Sequence, residues 1–126
     1  MFDGQAEEAM NFYISLFDRS EIINIQRYGK EEAGPEGSVI QASFTLNGVE
    51  YMCIDSPVKH QFNFTPAISI FVSCETEEEI DRLFAKLSEG GNVFMPLSAY
   101  PFSEKFGWTS DRFGVSWQLN LVKPGQ

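Results

Sequence analysis

Two amphipathic stripes with the same spacing constrain this chain more than any other feature. Met10, Tyr13, Ile14 and Phe17 recur at i, i+3, i+4 and i+7, and Ile80, Leu83, Phe84 and Leu87 repeat that spacing 70 residues later, from position 10 to position 80. Such a period lines four apolar side chains along one face of a helix. Asp3 is the expected N-cap of the first helix, with Glu7 and Glu8 placed where the helix dipole favours negative charge. Thr76-Glu77-Glu78-Glu79 opens the second helix as a capping box, and Gly90-Gly91 stops it.

The segments after the two helices are also alike. After the first come β-like runs at 21–28, 39–46 and 49–55, the last two joined by Asn47-Gly48, a strong hairpin signal. After the second come runs at 92–97, 106–110 and 115–121, the last two joined by Asp111-Arg112-Phe113-Gly114. Residues 29–38 and 98–105 read as loops before each final hairpin. One more strand, residues 67–74, precedes the second helix, so each half is predicted to be a βαβββ module. Module 1 spans about 1–55, a linker 56–66 and module 2 about 67–122, within one domain. Only Met1 and Phe2 precede Asp3, so by symmetry about six residues of a first strand are expected to be missing.

Charge and composition narrow the function. With 9 Lys+Arg against 18 Asp+Glu, the net charge of −9 argues against nucleic acid and against an anionic membrane surface. No apolar run approaches the roughly 18–20 residues needed to span a bilayer, and the expectation is a cytoplasmic protein. Cys53 and Cys74 do not make a disulfide scaffold, and the single His60 excludes any site needing two imidazoles from one chain.

The chain resembles the vicinal oxygen chelate superfamily of glyoxalase I, extradiol dioxygenases and bleomycin-resistance proteins, and within it the PhnB-like branch often labelled 3-demethylubiquinone 3-methyltransferase-like. The resemblance rests on Phe2-Asp3-Gly4-Gln5-Ala6-Glu7-Glu8-Ala9, Asn11-Phe12-Tyr13, Arg27-Tyr28-Gly29, Gly34-Pro35-Glu36-Gly37-Ser38 and Phe44-Thr45-Leu46-Asn47-Gly48. It continues through Leu87-Ser88-Glu89-Gly90-Gly91, Phe106-Gly107-Trp108 and Asp111-Arg112-Phe113-Gly114-Val115-Ser116-Trp117-Gln118. It implies an α+β fold in which two βαβββ modules curl mostly antiparallel sheets around a central cavity, with the helices outside. A homodimer is implied as well.

In metal-dependent members of that superfamily, the first and last strands of each half each supply one ligand to a divalent ion. By the resemblance, the last-strand Glu falls on Gln118, the His or acidic ligand falls near Ser69, and Cys53 or Asp55 stands on the last strand of the first half. An amide and a hydroxyl carry no negative charge, so a cavity without a metal and without another cofactor is expected. The methyltransferase label fares no better, because neither Gly-rich stretch follows a parallel strand as S-adenosylmethionine binding normally requires.

The expected function is therefore binding of a small, partly aromatic or apolar molecule. An enzyme of the same superfamily, of lyase, isomerase or dioxygenase type, is the alternative, and the labelled methyltransferase comes last. Phe62, Phe64, Phe102, Phe106, Trp108 and Phe113 could line the cavity, and Arg27, Asp55, Gln118 and Asn120 could converge on it as polar groups. Gln118 and Asn120 alternate with Trp117, Leu119 and Leu121, which puts amides on one face of the strand and bulk on the other. Cys53, His60 and Ser69 complete the candidate set, with Phe62, Phe102 and Trp108 as its aromatic members. His60 could act as a base above the cavity.

Overall fold

The structure is a computed structural model that describes residues 1–122. The chain forms two compact units, Met1–Gln61 and Phe62–Gln126. In the first, helix α1 (Ala6–Leu16) precedes strands β1 (Ile22–Arg27), β2 (Val39–Leu46) and β3 (Val49–Cys53), which form an antiparallel sheet in the order β1-β2-β3. In the second, β4 (Ile70–Cys74), helix α2 (Glu77–Ser88), β5 (Asn92–Tyr100), β6 (Ser103–Ser110) and β7 (Ser116–Leu121) give a sheet in the order β4-β7-β6-β5. Among the described strands of this sheet, β4 and β7 are the one parallel pair.

The two units share one topology. In the first, the Phe2 amide donates to the Ile54 carbonyl and the Ser56 amide donates to the Phe2 carbonyl, each at 2.8 Å. That single parallel bridge beside β3 stands where unit 2 has β4 beside β7. The fold is thus α+β, with two helices and two mostly antiparallel sheets.

Each helix stripe does what its spacing dictates. Ile80, Leu83 and Leu87 are fully buried, and α2 packs on β6 and β7. Burial of side chains this size stabilises by about 1.5–3 kcal/mol each. A Cβ on Gly107 would stand 2.4 Å from the Phe84 ring, so glycine is what lets the helix settle this close to β6. Of the first stripe, Met10 and Tyr13 in α1 and Phe17 just past its end are buried with Ala6, Ala9 and Leu16, whereas Ile14 is only half-buried. Asn47 and Gly48 both have positive φ, 52° and 79°, the conformation a two-residue hairpin turn needs.

Two expectations are corrected. Thr76 caps α2 by accepting from the Glu79 amide, and the Glu79 carboxylate accepts from the Glu75 amide, but Asp3 does not cap α1. The N-cap position is Gln5, whose side chain makes no capping bond. Asp55 caps the helix from across the unit: Oδ1 accepts from the Gly4 and Ala6 amides and Oδ2 from the Val39 amide, each at 2.9 Å. Residues 98–105 are also not a loop, since β5 and β6 stay paired out to Tyr100 and Ser103. The pairing absorbs irregularities on the way, and Pro96 is tolerated because β5 is an edge strand with no ladder bond to lose there.

Asp55→Ala should lower unfolding free energy by about 2–4 kcal/mol, because it orphans three amide donors, two of them in fully buried contacts. Asp3→Ala should change it by less than about 0.5 kcal/mol. Urea denaturation of the two variants checks this, and an equal loss from both would return the cap to Asp3.

Candidate functional site

The strand register of unit 2 sorts side chains into two faces. Trp117 and Leu119 of β7, Val72 and Cys74 of β4 and Thr109 of β6 are buried on the face toward α2. The other face carries Ser69, Phe71 and Ser73 from the β4 segment, Ser116, Gln118 and Asn120 from β7, and Phe106 and Trp108 from β6. On it lies a groove of about 520 Å³ lined by Phe71, Met95, Phe102, Phe106, Trp108, Gln118 and Asn120.

Aromatic contacts build its walls. Phe102 and Tyr100, from the β5–β6 tip, meet Phe106 edge-on at 5.0 and 6.1 Å, and Phe106 is buried. Phe94 packs against Trp108 at 4.9 Å. Phe71 and Phe102 remain exposed, at 58% and 65%.

A chain of polar contacts runs along the floor. The Trp108 indole donates to Ser116 Oγ at 2.8 Å, Ser116 Oγ meets Ser69 Oγ at 2.6 Å, and Gln118 Nε2 donates to Ser69 Oγ at 3.3 Å. Asn120 Oδ1 accepts from Ser103 Oγ at 2.5 Å.

Five of the ten residues singled out in the sequence therefore meet: Phe102, Trp108, Gln118 and Asn120 line the groove, and Ser69 holds Gln118. Phe71 and Met95 are lining residues that the sequence reading missed, although Phe71 lies two residues beyond Ser69 and shares its face. Phe62 belongs to the same unit, 62% exposed and outside the groove lining.

The other four lie in unit 1. Arg27 forms an exposed ion pair with Glu7 at 2.6 Å, which raises the guanidinium pKa and lowers that of the carboxyl. Asp55 has both oxygens on backbone amides. His60 is exposed, with Nε2 3.0 Å from Ser56 Oγ. Burial, reinforced by the Asp55 charge, pushes the Cys53 thiol up to about 11, and burial with the Glu79 charge pushes Cys74 to about 12.

The sequence matches the family described as 3-demethylubiquinone-9 3-methyltransferase over residues 1–120. The chain belongs to this family. It is 64% identical to the PhnB protein of Bacillus cereus, which bears the same methyltransferase label, over 97% of this chain and 95% of that one, with a TM-score of 0.96. Among curated proteins, YjdN of Escherichia coli is 25% identical over 89 residues, or 71% of this chain, and the match spans only 60% of YjdN. FosX of Listeria monocytogenes, solved as a glutamate-to-glutamine mutant with Mn(II) and a dihydroxypropylphosphonic acid, shares the fold. Its TM-score is 0.68 at 13% identity, over 98% of this chain and 89% of that one. The fold is that of the glyoxalase/bleomycin-resistance proteins of the vicinal oxygen chelate superfamily.

Neither group that this kinship suggests fits the residues present. Ser69 and Gln118 do come together, yet they bond to each other through a hydroxyl and an amide, which are poor donors for a divalent ion. No group of three or more His, Cys, Asp or Glu with metal-holding geometry occurs among the described residues. The parallel strand β4 leads into α2 through Glu75 and Thr76, with Glu77, Glu78 and Glu79 in the first turn. That turn has no glycine and carries concentrated negative charge, the opposite of what an S-adenosylmethionine turn provides.

Iodoacetamide should leave both cysteines unmodified in the native protein at pH 8 and alkylate both after denaturation. The pH dependence has a definite sign: from about pH 9 upward the unfolded thiols ionise before the folded ones, so their contribution lowers stability as pH rises. Fast native alkylation at pH 8 would make one of them a reactive thiol.

Proposed function

We propose that this protein binds a small, partly aromatic or apolar molecule in the groove of unit 2, without a metal ion. The observation that carries this reading is the pair Gln118 and Asn120, projecting from one strand into a lining otherwise made of Phe71, Met95, Phe102, Phe106 and Trp108. Ligand sites commonly combine such apolar walls with a few placed polar groups. None of the seven lining side chains titrates near neutral pH, so the groove offers no general acid or base of its own. This favours binding over turnover and gives methyl transfer no support. A homodimer completes the proposal, supported by large apolar side chains left exposed on the strands outside the groove, among them Ile22, Ile23, Met52 and Val93.

Native mass spectrometry with elemental analysis of freshly purified protein tests the metal-free and dimeric parts together. The expected species has twice the 14.3 kDa chain mass and no stoichiometric divalent ion. Gln118→Glu should raise Mn(II) affinity at least about tenfold by adding the missing charge. About one divalent ion per wild-type chain surviving dialysis would reject the metal-free reading. A single-chain species at micromolar concentration would reject the dimer.

A further inference from the structure

The two amides in the groove are each engaged at one atom only. Gln118 gives Nε2 to Ser69, while its Oε1 takes no partner among the described residues. Asn120 accepts from Ser103 Oγ through Oδ1, and its Nδ2 is likewise without a partner among the described residues. Each amide is therefore held by a serine at one atom and presents the other.

Those serines are themselves held. Ser69 is fixed by Ser116, and Ser116 by the Trp108 indole, a group that can only donate. Ser103 Oγ accepts from the Lys105 amide at 3.2 Å, and its single proton goes to Asn120 Oδ1 at 2.5 Å in preference to the Lys105 carbonyl at 3.0 Å. Gln118 and Asn120 are two residues apart on β7, so their backbone origins lie about 7 Å apart on one face. The result is a fixed acceptor and a fixed donor, side by side among aromatic rings.

Resting on the reading of the groove as a ligand site, we propose that its ligand is a neutral, planar ring molecule that donates a hydrogen bond to Gln118 Oε1 and accepts one from Asn120 Nδ2. A ring lactam or vinylogous amide, with an N–H and a C=O set a few ångströms apart, has this chemistry. Anions are disfavoured twice: the lining holds no cation, and the chain carries a net charge of −9. A purely apolar molecule would cover both amide atoms without bonding them, and a buried polar group left unpaired costs about 1–3 kcal/mol.

Three bicyclic probes of one size separate the possibilities: 4-quinolinone, which donates and accepts; quinoline, which only accepts; and naphthoate, an anion. Binding is followed by NMR through the Trp108 indole N–H and the side-chain amides of Gln118 and Asn120. 4-Quinolinone should bind at least about tenfold more tightly than either other probe, the step that about 1.4 kcal/mol produces. It should also shift both amides. Gln118→Leu and Asn120→Leu should each erase most of that preference. Equal binding of quinoline and 4-quinolinone, or tightest binding of naphthoate, with Trp108 shifted in either case, would overturn the ligand class and leave the groove as a binding site. No shift at Trp108 with any probe at millimolar concentration would overturn the groove reading, and the ligand class with it.

Discussion

The Asp111 carboxylate accepts from the Phe113 and Val115 amides through Oδ1 and from the Trp117 indole through Oδ2, all at 2.9–3.1 Å and almost wholly out of water. These bonds close the turn before β7 and tie its first large residue to that turn. They thereby set the register of β7, and register decides everything on the sheet. A slip of one residue would send Trp117 and Leu119 out to solvent and bury Gln118 and Asn120 against α2. The penalty for that exchange is severe, since two bulky apolar groups would lose burial while two amides lost water. Groove and core are therefore two consequences of one alternation.

Much of this architecture is legible in the residues because its causes are local. Helix stripes, the Thr76 capping box and the Asn47-Gly48 turn each depend on side chains within a few positions of one another. The misplaced cap of α1 has the opposite character. Asp55 lies 49 to 51 residues from the amides it serves at the start of α1, and no local pattern links them. Asp3 lies two residues before the actual N-cap position, and the bridge of Phe2 to the chain around Asp55 brings a better-buried carboxylate to the helix end. The same holds at residues 98–105, where Pro101 suggests a loop. There the Tyr100–Phe102–Phe106 cluster continues the hairpin, and no propensity rule sees three rings closing on one another.

The site divides along the same line. That amides would share one face of β7 comes from period-2 alternation alone. That Ser69 would meet Gln118 required the parallel pairing of β4 with β7, a contact between residues 49 apart. Arg27, Cys53, Asp55 and His60 entered the candidate set for their chemistry, and that chemistry is engaged elsewhere: on Glu7, in burial, on three amides and on Ser56. A reactive residue type in a fitting stretch of sequence is weak evidence until its partners are known.

Kinship with metal-binding folds sharpens the reading of Gln118 without deciding it. A carboxylate there would bring charge, and charge on this face would need either a cation or water. The amide instead commits one atom to a hydroxyl and leaves the other neutral and directional. Replacing an ion's electrostatic pull by a donor and an acceptor trades strength for shape, because a hydrogen bond discriminates by geometry where an ion attracts any pair of oxygens. In the proposed binding mode the aromatic walls would act in the same sense: Phe102, Phe106 and Trp108 offer a flat contact area to a ring, and the polar groups would set its orientation. On the proposed reading, a groove of this composition would select by which atoms of a ring donate and which accept.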